Sequence, residues 1–364
     1  MFAHFLDPLS KKKKILLSIP SINESHTGEA IAKDVAEIIK EFGLEKRVGY
    51  FVLDNAGNNN TAVEALGLMF GFNPIKRRLR CAVHSFNIVG MQIMYGTDLE
   101  AFEIENDTPR ALCEDLELWR RKGPLGKLRN IIMWITDRHA DGERAREFRA
   151  LQIESQNCLL EEDESRRPPT ALKRPNDTRW NSHYYAFETA TVNRAAIDSY
   201  SEKEERAYNT RLEQVTQKNR RLEADKQIKI PLKPVIVEDK LSTDDWVTVT
   251  RYMHILKPLM LVTKKLEGHP QQGRNGLMWE VLPCYELLLN HLERLMEQYR
   301  HDPDNDLTLN IQLGWQKLNE YYTKLDDTEI YVAAVALHPQ LRLAKIRQLW
   351  ADRAEDGWID IAEQ

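Results

Sequence analysis

The residues best equipped for chemistry stand at the end of a short apolar run. Val48, Tyr50, Phe51 and Val52 suit a strand, Leu53 and Asp54 follow, and Asn55 to Asn60 (NAGNNN) form a turn-rich loop. A carboxylate leaving a buried strand into such a loop sits at the carboxyl edge of a sheet, where ligands and metals are commonly held. Asp54 is also placed to cap the helix that begins near Thr61, and capping is the commoner use of such an Asp. A second candidate pair is Cys81 and His84, three apart and so on one face of a helix. They read either as half of a metal or DNA site, or as a buried thiol beside a hydrogen-bonded histidine. The missing partner CxxC or HxxxH favours the second. The basic cluster Lys76, Arg77, Arg78 and Arg80 just ahead of them offers phosphate neutralisation.

The frame for these residues is set by composition. The 364 residues suffice for two domains or one domain with a large insertion, and 42% apolar with 29% charged residues describes an ordinary globular chain. A net charge of −5 argues against coating nucleic acid or an anionic membrane by bulk attraction, and leaves room for a local basic groove. Cys81, Cys113, Cys158 and Cys284 form no CxxC, which points to a reducing, intracellular compartment. No apolar run approaches a membrane span, and the N-terminus lacks a signal-peptide layout.

Read in order, Met1–Leu6 and Ile15–Ile19 are expected to pair antiparallel, with Lys11–Lys14 in the turn, and Val48–Leu53 to lie beside them. The four lysines also read as a nuclear signal, but the flanking apolar runs favour the turn. Helices are expected from Ile31 to Phe42, Thr61 to Phe70 and Trp180 to Thr191, with a strand turning into a helix over Leu79–Val89. Residues 137–175 read partly as loop or poorly ordered chain. The stretch 200–228 reads as a solvated, charged helix or a weak coiled coil rather than a DNA-binding stripe, because its acids and bases interleave. From Thr243 onward the pattern is helical, with core stripes such as Trp246, Val249, Met253, Leu256 and Met260.

Four strings taken together carry a family resemblance: SHTGEAIA at Ser25–Ala32, LDNAGNN at Leu53–Asn59, RLRCAVHSFN at Arg78–Asn87 and NDTRWNSHYYA at Asn176–Ala186. In this order, and with LHP at Leu337–Pro339, the chain resembles transposases of the hAT superfamily, in particular the fungal restless-like branch. The resemblance implies an α+β or α/β fold: a partial RNase H-like core over 1–95, a helical and loop segment over 96–175, and a mostly α-helical insertion domain over 176–364. It also implies a DDE-type chemistry in which Mg²⁺ or Mn²⁺, held by clustered carboxylates, drives DNA cleavage and strand transfer.

Carried over residue by residue, Asp54 matches the second Asp, as catalytic and metal-binding group. Arg78, Arg80, Cys81, His84, Arg179 and Trp180 become nucleic-acid-binding candidates, with Trp180 stacking on an unpaired base or closing the core. The family's first Asp is expected on a strand before Met1 and its last Glu beyond Gln364, and nothing around Glu355 or Glu363 matches it. The N-terminal zinc finger has no counterpart either. The chain alone is therefore expected to be inactive, to bind no metal, and to bind DNA weakly. It is expected to act in the nucleus as a homo-oligomer or as part of a longer transposase subunit, with no membrane partner. A host-adopted DNA-binding or protein-interaction scaffold is the alternative, and a metal site rebuilt from local carboxylates a distant third.

Overall fold

The computed structural model describes residues 1–19, 27–96, 118–137, 142–159, 170–176, 179–268, 276–301 and 305–351. The described chain is mostly helical. It groups into two compact units, one of Met1–Val89, Val262–Arg294 and Trp315–Gln364, the other of Gly90–Leu261 and Leu295–Gly314.

The first unit opens with a hairpin of β1 (Phe2–Leu6) and β2 (Lys12–Leu16), antiparallel with Phe2 opposite Leu16 and Leu6 opposite Lys12. The turn is not at Lys11–Lys14. Asp7 Oδ1 accepts from the Leu9 and Lys11 amides at 3.0 and 2.8 Å, and Ser10 takes the left-handed conformation at φ 57°. An aspartate folding over its own downstream amides fixes the bend earlier, so three lysines lie within β2.

Thr27 caps α1 (Gly28–Glu41) and α2 (Gly57–Phe70) packs against it. Gly28, Ala32 and Ala36 recur every fourth residue on α1, which lets the two backbones approach closely. A Cβ added at Gly28 would stand 2.6 Å from the Asn58 carbonyl oxygen. Around this contact Ile39, Ala62 and Leu66 close a small core, with Phe51 and Phe72 at its border.

Between α1 and α2 lies β3, which covers only Phe51–Leu53. It does not join the hairpin. Its partner is β4 (Arg78–Arg80), which follows the short α3 (Pro74–Arg77), and the two strands run parallel with Val52 beside Leu79. The expected mixed sheet is thus two separate two-stranded sheets. Before Ala82 the described residues thus hold two small sheets with α1, α2 and α3.

The remaining helices are α4 (Ala82–Tyr95), α5 (Gly123–Ile135), α6 (Glu143–Leu159), α7 (Trp180–Val192), α8 (Arg194–Asn219) and the short α9 (Val235–Glu238). They continue through α10 (Thr243–Glu267), α11 (Met278–Gln298), α12 (Asn305–Thr323), α13 (Ile330–Ala336) and α14 (Arg342–Leu349). The expected helices over Trp180–Thr191 and from Thr243 onward are present, and Trp246, Val249, Leu256 and Met260 are buried as their spacing requires, with Met253 half-buried. Residues 143–159 are helix rather than loop. In the second unit His183 accepts or donates at Nδ1 to the Tyr95 hydroxyl at 2.8 Å and stacks on Trp119, which Arg129 covers at 4.2 Å.

Candidate nucleic-acid interface

The parallel pairing of β3 with β4 brings their carboxyl ends side by side. The Cys81 amide continues the ladder by donating to the Leu53 carbonyl at 2.9 Å, so Asp54 and Cys81 leave the same sheet edge. Asp54 is exposed there. Its Oδ1 accepts from the Ala56 amide at 3.0 Å and from Asn59 Nδ2 at 2.6 Å. It does not cap α2, which starts at Gly57 with Ala56 as its N-cap. The carboxylate instead folds the loop back on itself in an Asx turn.

Behind it, Asn55 Nδ2 donates to Ser85 Oγ at 3.0 Å, and Ser85 Oγ donates to the Cys81 carbonyl at 3.4 Å. Burial raises the Tyr285 hydroxyl while its hydrogen bond with Ser85 acts the other way. Asn55 Oδ1 is buried with no hydrogen bond among the described residues. Tyr331, whose hydroxyl meets the Arg80 main chain, is pushed up to about 12, chiefly by burial. Ser85 sits inside the recognisable string around Cys81, whereas Tyr331 comes from 250 residues downstream with no local signal.

The basic cluster turns out to be mostly structural. Arg78 is only 7% exposed; its Nη2 donates to the Asp54 carbonyl at 2.6 Å and its Nε to Asn60 Oδ1 at 3.1 Å. Burial, then the neighbouring Arg80, lowers its pKa. Its expected role as a phosphate ligand is corrected by this geometry: the side chain staples the Asp54 loop to β4. Arg77 likewise donates to the Val48 carbonyl at 2.6 Å and lies 5.3 Å from the Phe72 ring centre. Lys76 pairs with Glu329. Arg80 and His84 are half-buried and have no side-chain hydrogen bond or ion pair among the described residues, and Cys81 is a half-buried free thiol.

Arg179 and Trp180 belong to the second unit. Arg179 is exposed, at the N-cap of α7. Trp180 is 1% exposed, edge-on to Tyr184 at 6.0 Å, and a Cβ added at Gly90 would lie 2.6 Å from its ring. A base cannot stack on a face so covered, so in this structure Trp180 closes the core.

A two-metal centre requires converging carboxylates. Among the described residues no three His, Cys, Asp or Glu side chains converge, and Asp54 already holds two hydrogen bonds on one oxygen. The described residues therefore do not fit the Mg²⁺ or Mn²⁺ pair that the resemblance implies. Glu355 and Glu363, Ser25 and His26, and Asp177 and Thr178 lie outside the described residues.

Comparison with known proteins follows the same outline. Residues 1–75 match the family model described as the ZBED1 RNase-like domain. The chain is 22% identical over 353 residues to "Putative transcriptional regulator tpeD" of Talaromyces stipitatus, covering 93% of this chain and 33% of that protein. The chain thus spans about a third of the length of this curated relative. No solved structure matches the chain. The two matches support a hAT-related, transposase-derived protein. Among the described residues no helix is long and apolar enough to cross a membrane.

Proposed function

We propose that this chain is a hAT-derived nucleic-acid-binding protein of the nucleus, built on a partial RNase H-like core and without strand-cleaving activity of its own. The observation that carries the reading is the family match over residues 1–75, which contains Asp54 at the edge of β3. Asp54, Arg80, Cys81 and His84 are its remaining site candidates in the first unit, and Arg179 in the second. Among the described residues no group of three His, Cys, Asp or Glu side chains forms around Asp54, which supports binding without chemistry. The chain would then serve as a homo-oligomer or as part of a longer transposase-type subunit.

A second reading, a host-adopted regulator or scaffold, is favoured by the name of the relative in Talaromyces stipitatus. The second reading covers a DNA-binding regulator, which shares DNA binding with the first, and a protein-interaction scaffold, which does not require it.

The test is incubation of purified chain with supercoiled plasmid and labelled duplex in Mg²⁺ or Mn²⁺, beside an anisotropy titration. No nicking is expected, with salt-sensitive binding on the order of 10⁻⁴ to 10⁻⁶ M. Metal-dependent cleavage that disappears in Asp54→Ala would overturn the inactive reading, and no binding to any DNA would overturn the first reading and leave only the protein-interaction scaffold.

A further inference from the structure

The stretch after Ser201 looks uniformly mixed in charge, and the fold sorts that mixture into two parts. In the first half of α8 several charges are paired: Arg206 with Glu202 at 3.2 Å, Lys203 with Glu147 at 3.2 Å, and Glu205 with Lys240 at 2.8 Å. Only Ala196, Ile197, Tyr200 and Ser201, in its first half, are buried. Past that point the helix is a solvated arm. Its tip and return, residues 216–233, carry six lysines and arginines against Glu223 and Asp225, a surplus of four positive charges in a chain whose net charge is −5.

The tip has a defined shape. The Asn219 side chain clips the return segment in both directions: Nδ2 donates to the Ile228 carbonyl and Oδ1 accepts the Ile228 amide, each at 2.7 Å. Within the loop so closed, the Arg221, Leu222 and Lys226 amides donate to the Lys218, Asn219 and Glu223 carbonyls. Glu223 is occupied by Lys226 at 3.0 Å. Lys218, Arg220, Arg221 and Lys229 are exposed and make no side-chain hydrogen bond or ion pair among the described residues. A helix C-terminus attracts cations within its last turn, which accounts for Lys218 but not for Lys229 on the return segment.

We infer that this clipped loop is a binding site for duplex nucleic acid, contacting the sugar–phosphate backbone through Arg220, Arg221, Lys218 and Lys229. The inference rests on the nucleic-acid reading above and gives it a surface that Arg78 and Trp180, both buried, do not supply. Two adjacent guanidinium groups suit phosphate oxygens, because each presents paired donors in a fixed plane. The described tip offers no aromatic ring, so single strands gain nothing from stacking. The clip lowers the cost of ordering the loop on binding. An acidic polypeptide is the competing ligand class, and the test separates the two.

The experiment titrates the full chain into a short labelled duplex and the matching single strand, between about 50 and 200 mM salt. The triple variant Arg220→Gln/Arg221→Gln/Lys229→Gln is set beside Lys33→Gln/Lys40→Gln/Lys46→Gln, which removes the same charge from exposed lysines of the first unit. The tip variant is expected to bind duplex about tenfold more weakly, with the salt slope reduced by roughly 2 to 3, while the control variant stays within about twofold of the parent. Asn219→Ala, which frees the loop and leaves every charge, should weaken binding several-fold with an unchanged slope. If the parent binds duplex and the tip variant matches it, the site is wrong and the nucleic-acid reading stands. If tip and control variants weaken equally, the binding is bulk electrostatics and the site is again wrong. If the parent binds no DNA, the reading itself fails and takes the site with it. If poly-glutamate of equal charge displaces duplex as well as unlabelled duplex does, the loop recognises acidic protein instead.

Discussion

At the scale of single residues, burial separates the side chains that hold this protein together from those that reach a partner. Trp180 fills a space that Gly90 leaves open, so both residues should respond in stability rather than in binding. Trp180→Ala is expected to cost about 3–5 kcal/mol, seen as a lowered thermal midpoint by circular dichroism. Gly90→Ala gains helix propensity but drives a methyl group into the indole, and should still lose about 1–3 kcal/mol. Single-stranded DNA affinity of either variant, measured well below its midpoint, should equal that of the parent. Arg78→Ala strips the Asp54 carbonyl and Asn60 of their donor and should cost about 1–3 kcal/mol. Thiol chemistry should divide the same way. Burial pushes the Cys284 thiol up to about 11, so at pH 8 it stays protonated and shielded. Peptide mapping after iodoacetamide at that pH should find Cys81 alkylated and Cys284 untouched; the opposite pattern would mean that α11 opens readily.

At the scale of elements, the close packing of α1 on α2 depends on small residues at every fourth position. Gly28→Leu would force the helices apart at the Asn58 carbonyl and Thr61, and a loss of at least about 1–3 kcal/mol is expected. The readout is the denaturation midpoint, with an unchanged m-value if the rest of the unit keeps its fold. Most helix positions were legible in the sequence because their stripes recur within one or two turns, whereas the polar helix over 143–159 carries no such stripe. Strand partners were not. Nothing in Phe51–Leu53 specifies that its neighbour is Arg78–Arg80 rather than Met1–Leu6, since a three-residue apolar run satisfies either pairing. The hairpin turn is encoded by Asp7, Pro8 and Ser10, ahead of the lysine run.

For the whole molecule, paired carboxylates make stability depend on acid. Hydrogen bonds from Lys317 and Lys324 hold Glu320 below its ordinary 4.5, and Lys240 does the same for Glu205. A depressed carboxylate contributes its stability above the unfolded value, and loses it as pH falls through the folded one. The thermal midpoint should therefore be flat from neutrality down to about pH 5 and decline below it. Glu320→Gln should shift part of that decline into neutral pH, with a lower midpoint there and a shallower acid slope. An identical acid profile in the variant would show that the pair contributes nothing, as exposed pairs often do not.

The amino-acid sequence determined what local order can encode: where most helices begin and end, that Asp54 closes a strand, and that Cys81 opens a helix. Periodicity, caps and turn residues act over a few positions, so they survive in one dimension. The tertiary structure decided which side chains are covered. It turned Arg78 inward, sealed Trp180 against Gly90, and paired several charges in the first half of α8 while leaving Lys218, Arg220, Arg221 and Lys229 at its tip without ion pairs among the described residues. Each of those outcomes depends on atoms brought together from distant positions, and burial of a charge or a ring is a property of that meeting rather than of the residue.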